Sequence, residues 1–285
     1  MEGKIRKAEE ILKSLEKVLV AFSGGVDSSV LLKISLDSLG RNRVIAVTAV
    51  SPIHPAAEKK EAVKIAAELK ATHLFIETGE LKDSRFMSNL PERCFYCKEA
   101  LFSMMEEIRS LRGFNAVVDG TNRDDSGDYR PGEKAGRMFG VRSPLREAGM
   151  TKEDVRRYAR QSGLPCWDKP SNSCLASRIP YGQDISLERL SRIHSGEKYL
   201  YSLGFREVRL RDYGDLARIE IPSVQLRDAV SMKERIAARL KKYGYHYITL
   251  DLEGFRSGSM NNVLKGSPSL KNEKAKSSRR DERRR

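Results

Sequence analysis

No stretch of this 285-residue chain approaches the roughly 20 consecutive apolar residues that cross a bilayer, so nothing in it reads as a helical membrane anchor. Cysteine is scarce. Four residues are too few for the disulfide framework of a secreted scaffold, and a Cys-x-x-Cys pair among them points to metal or redox chemistry. Histidine is equally sparse, with His54, His73, His194 and His246 scattered without ligand spacing. There is no Gly-Lys-Ser/Thr, which excludes the Walker loop that manages a γ-phosphate. No internal repeat is visible. Met1-Glu2-Gly3-Lys4 leads into a charged helical pattern over residues 5–15 with no apolar signal segment, so a cytoplasmic protein is expected.

What is present suits one large domain and a smaller one, since 39% of the residues are hydrophobic. The net charge of +14 suggests a polyanion, but its distribution weakens that reading. Residues 265–285 carry nine Lys/Arg against three Asp/Glu, in a Ser/Lys/Arg-rich tail that cannot bury apolar surface and is expected to be disordered.

Along the first part, apolar runs and helical patterns alternate, as in an α/β doubly wound parallel sheet. Strands are expected at 17–22, 44–50, 73–77 and 116–119, with helices at 28–39, 56–69 and 97–111. Thr151-Lys152-Glu153-Asp154 fits a capping box opening another helix, which Gly163 and Pro165 end. After a Pro/Ser/Gly-rich stretch at 170–182 the order changes to α+β: helix 187–203, strands 207–211 and 217–221, helix 224–243 and strand 245–250. The expected domains are 1–180, 181–264 and the basic tail 265–285.

The sharpest local signal is Ser23-Gly24-Gly25-Val26-Asp27-Ser28-Ser29, between an apolar strand and a helix. Two glycines let backbone approach a phosphate, successive N–H groups form an anion nest, and the helix N-terminus adds partial positive charge. Ser23, Ser28 and Ser29 offer hydroxyl donors, and Asp27, a carboxylate beside phosphates, suggests Mg²⁺. The string resembles the PP-loop of ATP pyrophosphatases, which holds the β,γ-pyrophosphate as leaving group while an acid attacks the α-phosphate.

Cys94 and Cys97 form the Cys-x-x-Cys at a helix start, and Cys174 lies in a loop. Three thiolates suit a cubane cluster with one open iron, a Cys₃His zinc site, or no metal at all. Cys166, among apolar neighbours, reads as a small buried hydrophobe, and Trp167 as a core or rim residue. Asp128 and Arg130 follow a strand end, where α/β sheets bind ligands. Arg209 and Arg211 alternate along one strand face, and Arg256 follows the last strand, so an anionic substrate is one reading and a solvated face the other.

Together with Cys94-Phe95-Tyr96-Cys97, Asp128-Tyr129-Arg130-Pro131-Gly132, Ser177-Arg178-Ile179-Pro180-Tyr181-Gly182 and Gly254-Phe255-Arg256-Ser257-Gly258, these features resemble the LarE family over roughly residues 10–264. The resemblance implies an ATP-dependent sulfur transferase that adenylates the carboxylates of pyridinium-3,5-biscarboxylate mononucleotide and replaces AMP by sulfur, for the nickel-pincer cofactor. It implies that Arg209 and Arg211 bind substrate phosphate, with Ser177, Arg178, Glu197, Glu220 and Arg256 around the sulfur-transfer site. Where some members carry a sacrificial cysteine, this chain has Ser173. The neighbouring Cys174 with Cys94 and Cys97 resembles the branch that carries sulfide on a [4Fe–4S] cluster. A homo-oligomer is implied, a hexamer being one form of it.

Other readings compete. A PP-loop tRNA thiolase also combines such a loop with Cys-x-x-Cys and a later cysteine, but the basic excess here is concentrated in the tail. Sulfur-free PP-loop amidotransferases or synthetases would leave the cysteines unexplained, and a non-catalytic RNA- or nucleotide-binding module is the reading from another class, which pyrophosphate release from ATP separates from an enzyme.

Overall fold

The computed structural model describes all residues except 128–130, 170–172, 257 and 265–285. They form two compact units, Met1–Ala176 with Tyr181–Leu190, and Ser177–Pro180 with the chain from Ser191 onward.

In the first unit, helix α1 (Glu2–Leu15) leads into β1 (Val18–Ala21), α2 (Val26–Leu39), β2 (Val44–Val50), α3 (Ala56–Glu68) and β3 (Thr72–Glu77). Then come α4 (Ser84–Met87), α5 (Arg93–Leu111), β4 (Ala116–Asp119), α6 (Gly132–Met138), α7 (Pro144–Glu147) and α8 (Lys152–Gln161). The four strands are all parallel, in the order β3-β2-β1-β4. Side chains alternate across the sheet, and both faces are apolar. Val18 and Val20 pack on one side against α1, α2, α3 and α8, while Leu19 meets Phe102 and Met105 of α5 on the other. Each fully buried side chain of this kind contributes about 1.5–3 kcal/mol. With helices on both faces, the sheet is doubly wound, as its sequence pattern predicts.

The topology positions the site. β1 is central, and its neighbours β2 and β4 are reached by connections on opposite sides, so a crevice opens beyond the carboxyl ends of β1 and β4. α8 carries the expected capping box: Thr151 Oγ1 accepts from the Asp154 amide at 3.1 Å, and Asp154 accepts from the Thr151 amide at 3.0 Å. α5 starts at Arg93 rather than at 97, soon after Pro91 ends the previous turn, so both cysteines of the Cys-x-x-Cys lie in its first turns.

The second unit holds most of α9 (Leu187–Ser202), then β5 (Arg209–Asp212), β6 (Leu216–Glu220), α10 (Leu226–Ser231), α11 (Lys233–Lys241) and β7 (Tyr247–Leu250). β6 lies between an antiparallel β5 and a parallel β7. Leu210, Ala217, Ile219, Ile236 and Leu240 form its core. The single helix expected over 224–243 is two helices. Ser231 Oγ donates to the Asp228 carbonyl at 2.7 Å, competing with the helical ladder, and the chain turns at Met232. No described helix is long and apolar enough to cross a membrane.

Candidate active site

Between β1 and α2 the nucleotide loop folds on its own hydroxyls. Ser28 Oγ accepts from the Ser23 amide at 3.2 Å and donates to the Gly25 carbonyl at 3.1 Å, while Ser23 Oγ accepts from the Gly25 amide at 3.3 Å. These bonds curl the backbone over the N-terminus of α2, whose first amides lack helical partners and whose dipole favours an anion. Gly24 has φ +73°, and a Cβ there would lie 3.0 Å from the Ala62 Cα, so it is required for the approach to α3. Ser29 differs from the expectation. Its hydroxyl is fully buried beside the Cys166 thiol rather than in the cavity, because it sits one position further round the helix.

Asp27 does face the cavity. Asn122 Nδ2 donates to its Oδ1 at 3.0 Å, and Lys152 Nζ forms an ion pair with its Oδ2. The sequence reading missed both partners. Lys152 was legible only as part of a capping box, yet a lysine at the first position of a helix opposes the helix dipole and calls for a nearby anion. Gly120, just after β4, touches the same loop: a Cβ there would lie 2.8 Å from the Ser28 amide nitrogen.

The nucleotide loop and the end of β4 border a cavity of about 1090 Å³. One side is formed by Ser23, Gly25, Asp27, Ser28, Asp119 and Gly120, another by residues 47–51, and a third by Cys94, Cys97, Lys98, His54 and Ser173. Thr48 Oγ1 donates to the Phe22 carbonyl at 2.6 Å and meets His73 Nε2 at 2.7 Å, giving the apolar strand ends a polar fixture.

The three expected cysteines share one electrostatic neighbourhood. Burial is the main influence pushing up the Cys94 thiol, although Cys94 opens on the cavity, and the charge of Cys174 adds to it; Arg93 and Lys98 oppose the shift. Burial likewise pushes the Cys97 thiol up, followed by Cys174 and Glu80. The Leu175 amide donates to the Ile53 carbonyl at 2.8 Å, tying the Cys174 segment to the loop that bears His54. Among the described residues, no three His, Cys, Asp or Glu side chains stand together as a ready-made metal site. The donor chemistry nevertheless suits a metal: thiolates that raise each other's pKa are stabilised by a cation between them. Cys166 is buried in the apolar core, as expected. Trp167 is partly exposed, with the Arg160 guanidinium 5.0 Å from its ring.

The second unit buries its polar groups in ion pairs. Arg178 donates from Nε and Nη2 to both oxygens of Glu197, at 2.8 and 3.1 Å, and Glu197 Oε1 also accepts from the Leu210 amide at 3.0 Å. Arg178 Nη1 donates to Ser177 Oγ at 3.0 Å. Glu220 accepts from Arg211 at 2.6 Å and from Arg218 at 2.8 Å, and Ser259 Oγ lies between them. Arg209 and Arg211 are both 5% exposed, which removes the solvated-face reading. Arg209 lies 5.0 Å from the Phe255 ring. Burial lowers its basicity first, and the charge of Arg178 second. Gly254 makes that stacking possible: its φ is +71° and a Cβ would meet Ser223 Oγ at 2.6 Å. Arg256 instead projects from the surface and pairs with Glu253. Arg218 and Ser259 were missed because each acts through a neighbour rather than through a motif, and Phe255 was noticed only as part of the Gly254–Gly258 string. Asp128 and Arg130 lie outside the described residues.

The NAD synthase family profile matches residues 5–93, the stretch from α1 to the start of α5. The pyridinium-3,5-bisthiocarboxylic acid mononucleotide synthase of Lactiplantibacillus plantarum is 42% identical over 253 residues, covering 89% of this chain and 92% of the relative. An uncharacterized Synechocystis protein is 40% identical over 267 residues, 93% of this chain and 99% of its own length. A Methanocaldococcus jannaschii protein is 30% identical over 242 residues, covering 85% and 92%. With its parallel sheet, its nucleotide loop and near full-length likeness, the chain belongs to the LarE family of ATP-dependent PP-loop enzymes.

Proposed function

We propose that this enzyme adenylates the carboxylates of pyridinium-3,5-biscarboxylate mononucleotide and converts them to thiocarboxylates; the name of its Lactiplantibacillus plantarum relative gives pyridinium-3,5-bisthiocarboxylic acid mononucleotide as that protein's product. The observation that carries the reading is one cavity bordered both by the nucleotide loop and by Cys94 and Cys97. In the first half-reaction a substrate carboxylate oxygen attacks the α-phosphorus of ATP and pyrophosphate leaves. The amides at the start of α2 hold that leaving group, Asp27 would hold a Mg²⁺ ion that supplies charge neutralisation there, and Lys152, paired with Asp27, adds positive charge beside the phosphates.

In the second half-reaction sulfur attacks the acyl carbon and AMP departs. Cys94, Cys97 and Cys174 would hold a [4Fe–4S] cluster whose chemistry is to carry the sulfide. Arg93 and Lys98 already offset part of the cost of clustering these thiols. Substrate phosphate falls to Arg209 and Arg211. Both arginines are buried, and at Arg209 burial first and the charge of Arg178 second lower the basicity, so an anion there would be favoured. A homo-oligomer working in the cytoplasm completes the reading.

The test is anaerobic incubation with ATP, Mg²⁺, the mononucleotide and sulfide, with product masses read directly. Replacing Cys94, Cys97 or Cys174 by serine should abolish thiocarboxylate while AMP still forms. A wild-type protein that makes no AMP refutes the adenylation assignment. A loss of about 34 Da at Cys174 after turnover, from a thiol giving up its own sulfur, refutes the carried sulfide.

A further inference from the structure

Phe255 follows β7 in a turn that β6 fixes from the side. The Asp251 amide donates to the Ile219 carbonyl at 2.9 Å, and the Phe255 amide donates to the Ile221 carbonyl at 2.8 Å. Between them the Gly254 amide donates to the Asp251 carbonyl at 3.1 Å, closing the turn. These bonds place the half-buried Phe255 ring against Arg209, whose guanidinium carbon stands 5.0 Å from the ring centroid. A guanidinium stacked on a ring presents its face to it while its N–H donors point outward in the plane, so stacking orients the fork without consuming donors. The Val208 carbonyl steadies one end of that plane, accepting from Arg209 Nη1 at 2.8 Å. Arg211, two residues along the same strand face, is held by other means. Its Nη1 donates to the Ser177 carbonyl at 3.0 Å, and its Nη2 to Glu220 at 2.6 Å and to Ser259 Oγ at 3.0 Å. Its Nε is buried and has no hydrogen-bond partner among the described residues. A buried donor left over beside a guanidinium whose plane is already set suits a ligand with several acceptor oxygens.

We propose that Phe255 is a positioning residue for recognition of the substrate phosphate: its ring holds the Arg209 fork in the plane from which Arg209 and Arg211 together bind the phosphate oxygens. The proposal rests on the assignment of these two arginines to substrate phosphate argued above. It gives the Gly254–Gly258 string a role through its aromatic member, which no charge pattern announces. Position 209 then requires arginine rather than lysine for a second reason, because only a planar cation can be oriented by a ring face. Phe255 acts through Arg209 and touches no reacting atom. Its effect therefore falls on mononucleotide affinity and KM, while turnover at saturating substrate is kept.

The experiment measures dissociation constants of the mononucleotide and of ATP by calorimetry on the full-length protein. Phe255→Leu should weaken mononucleotide binding about tenfold, within reach of a desolvated cation–π contact, and leave ATP affinity within about twofold. Phe255→Tyr keeps the ring and should bind the mononucleotide within about twofold of the wild type. In an Arg209→Lys background the planar partner is already gone, so Phe255→Leu should cost less than about twofold more. A ring that only supported the fold would weaken both backgrounds alike. Phe255→Met, which fills similar apolar volume, is measured in the same way and stands in for the leucine variant if that one does not fold. Unchanged mononucleotide affinity without the ring, a tyrosine variant as weak as the leucine one, or equal losses in both backgrounds overturns the assignment. A wild-type protein that binds ATP but not the mononucleotide would instead sink the proposed function, so the two failures are distinguishable.

Discussion

Gly120→Ala tests the geometry of the nucleotide site most directly. The added Cβ would sit 2.8 Å from the Ser28 nitrogen and 2.9 Å from the Asp27 carbonyl carbon, both backbone atoms at the start of α2. Ordinary contact begins near 3.4 Å, so something must move by about 0.6 Å. Neither side can turn a rotamer away, because the opposing atoms are main chain. Overpacking of this kind costs about 1–3 kcal/mol. In a protein of this size that is a fall in Tm of roughly 2–4 °C per kcal/mol. The same displacement moves Asp27 and the anion-binding amides, and a misplacement approaching 1 Å can cost about 10²-fold in rate. Thermal unfolding and ATP-dependent pyrophosphate release should therefore both respond, the second more strongly. A variant that releases pyrophosphate at the wild-type rate with an unchanged Tm would show that the β4 end and the nucleotide loop do not need this close approach.

Asp27→Ala should abolish pyrophosphate release with little change in far-UV circular dichroism; AMP formation near the wild-type rate would remove Asp27 from the adenylation step. Arg209→Lys and Arg211→Lys keep the charge but lose the guanidinium fork, and should weaken mononucleotide binding at least tenfold while ATP affinity, measured by calorimetry, stays within about twofold. Equal losses for both ligands would point to damaged folding. Asp154, held well below the usual carboxylate range by Lys4 and the Thr151 amide, contributes stability that is complete above its ordinary pKa of 3.8 and lost as pH falls through its lower folded value. Asp154→Asn should accordingly cost about 1 kcal/mol at pH 7 in denaturant unfolding, with the gap closing below about pH 4; a gap independent of pH would contradict the linkage.

The first unit was legible because its signals are local. The run around Val18, the two-glycine loop and the Thr151 capping box each specify backbone conformation within a few residues, and the parallel order follows from alternation of strands and helices. The break at Met232 was not legible, since a serine hydroxyl competing for one carbonyl leaves no trace in hydrophobic periodicity. The site divided along the same line. Asp27, Cys94 and Cys97 announce themselves by motif. Lys152 reaches Asp27 across 125 positions, and Asn122 across 95, so their roles exist only once β1, β4 and α8 have come together. Ser29 shows the reverse error: the motif suggested a phosphate ligand, but the helical rotation that aims Ser28 at the cavity turns Ser29 into the core.

That adenylating and thiol groups border one cavity has a chemical consequence. An acyl adenylate is activated toward any nucleophile, and water is the most abundant one available, so an intermediate that had to travel would be lost to hydrolysis. In the proposed reaction, forming it in the cavity that Cys94 and Cys97 also border would make sulfur transfer effectively intramolecular, which well-oriented reactions exploit by factors equivalent to about 10⁵–10⁸ M. Sulfur arrives in that reaction as hydrosulfide, which is ionised near neutral pH and would leave all three cysteines intact for the second carboxylate.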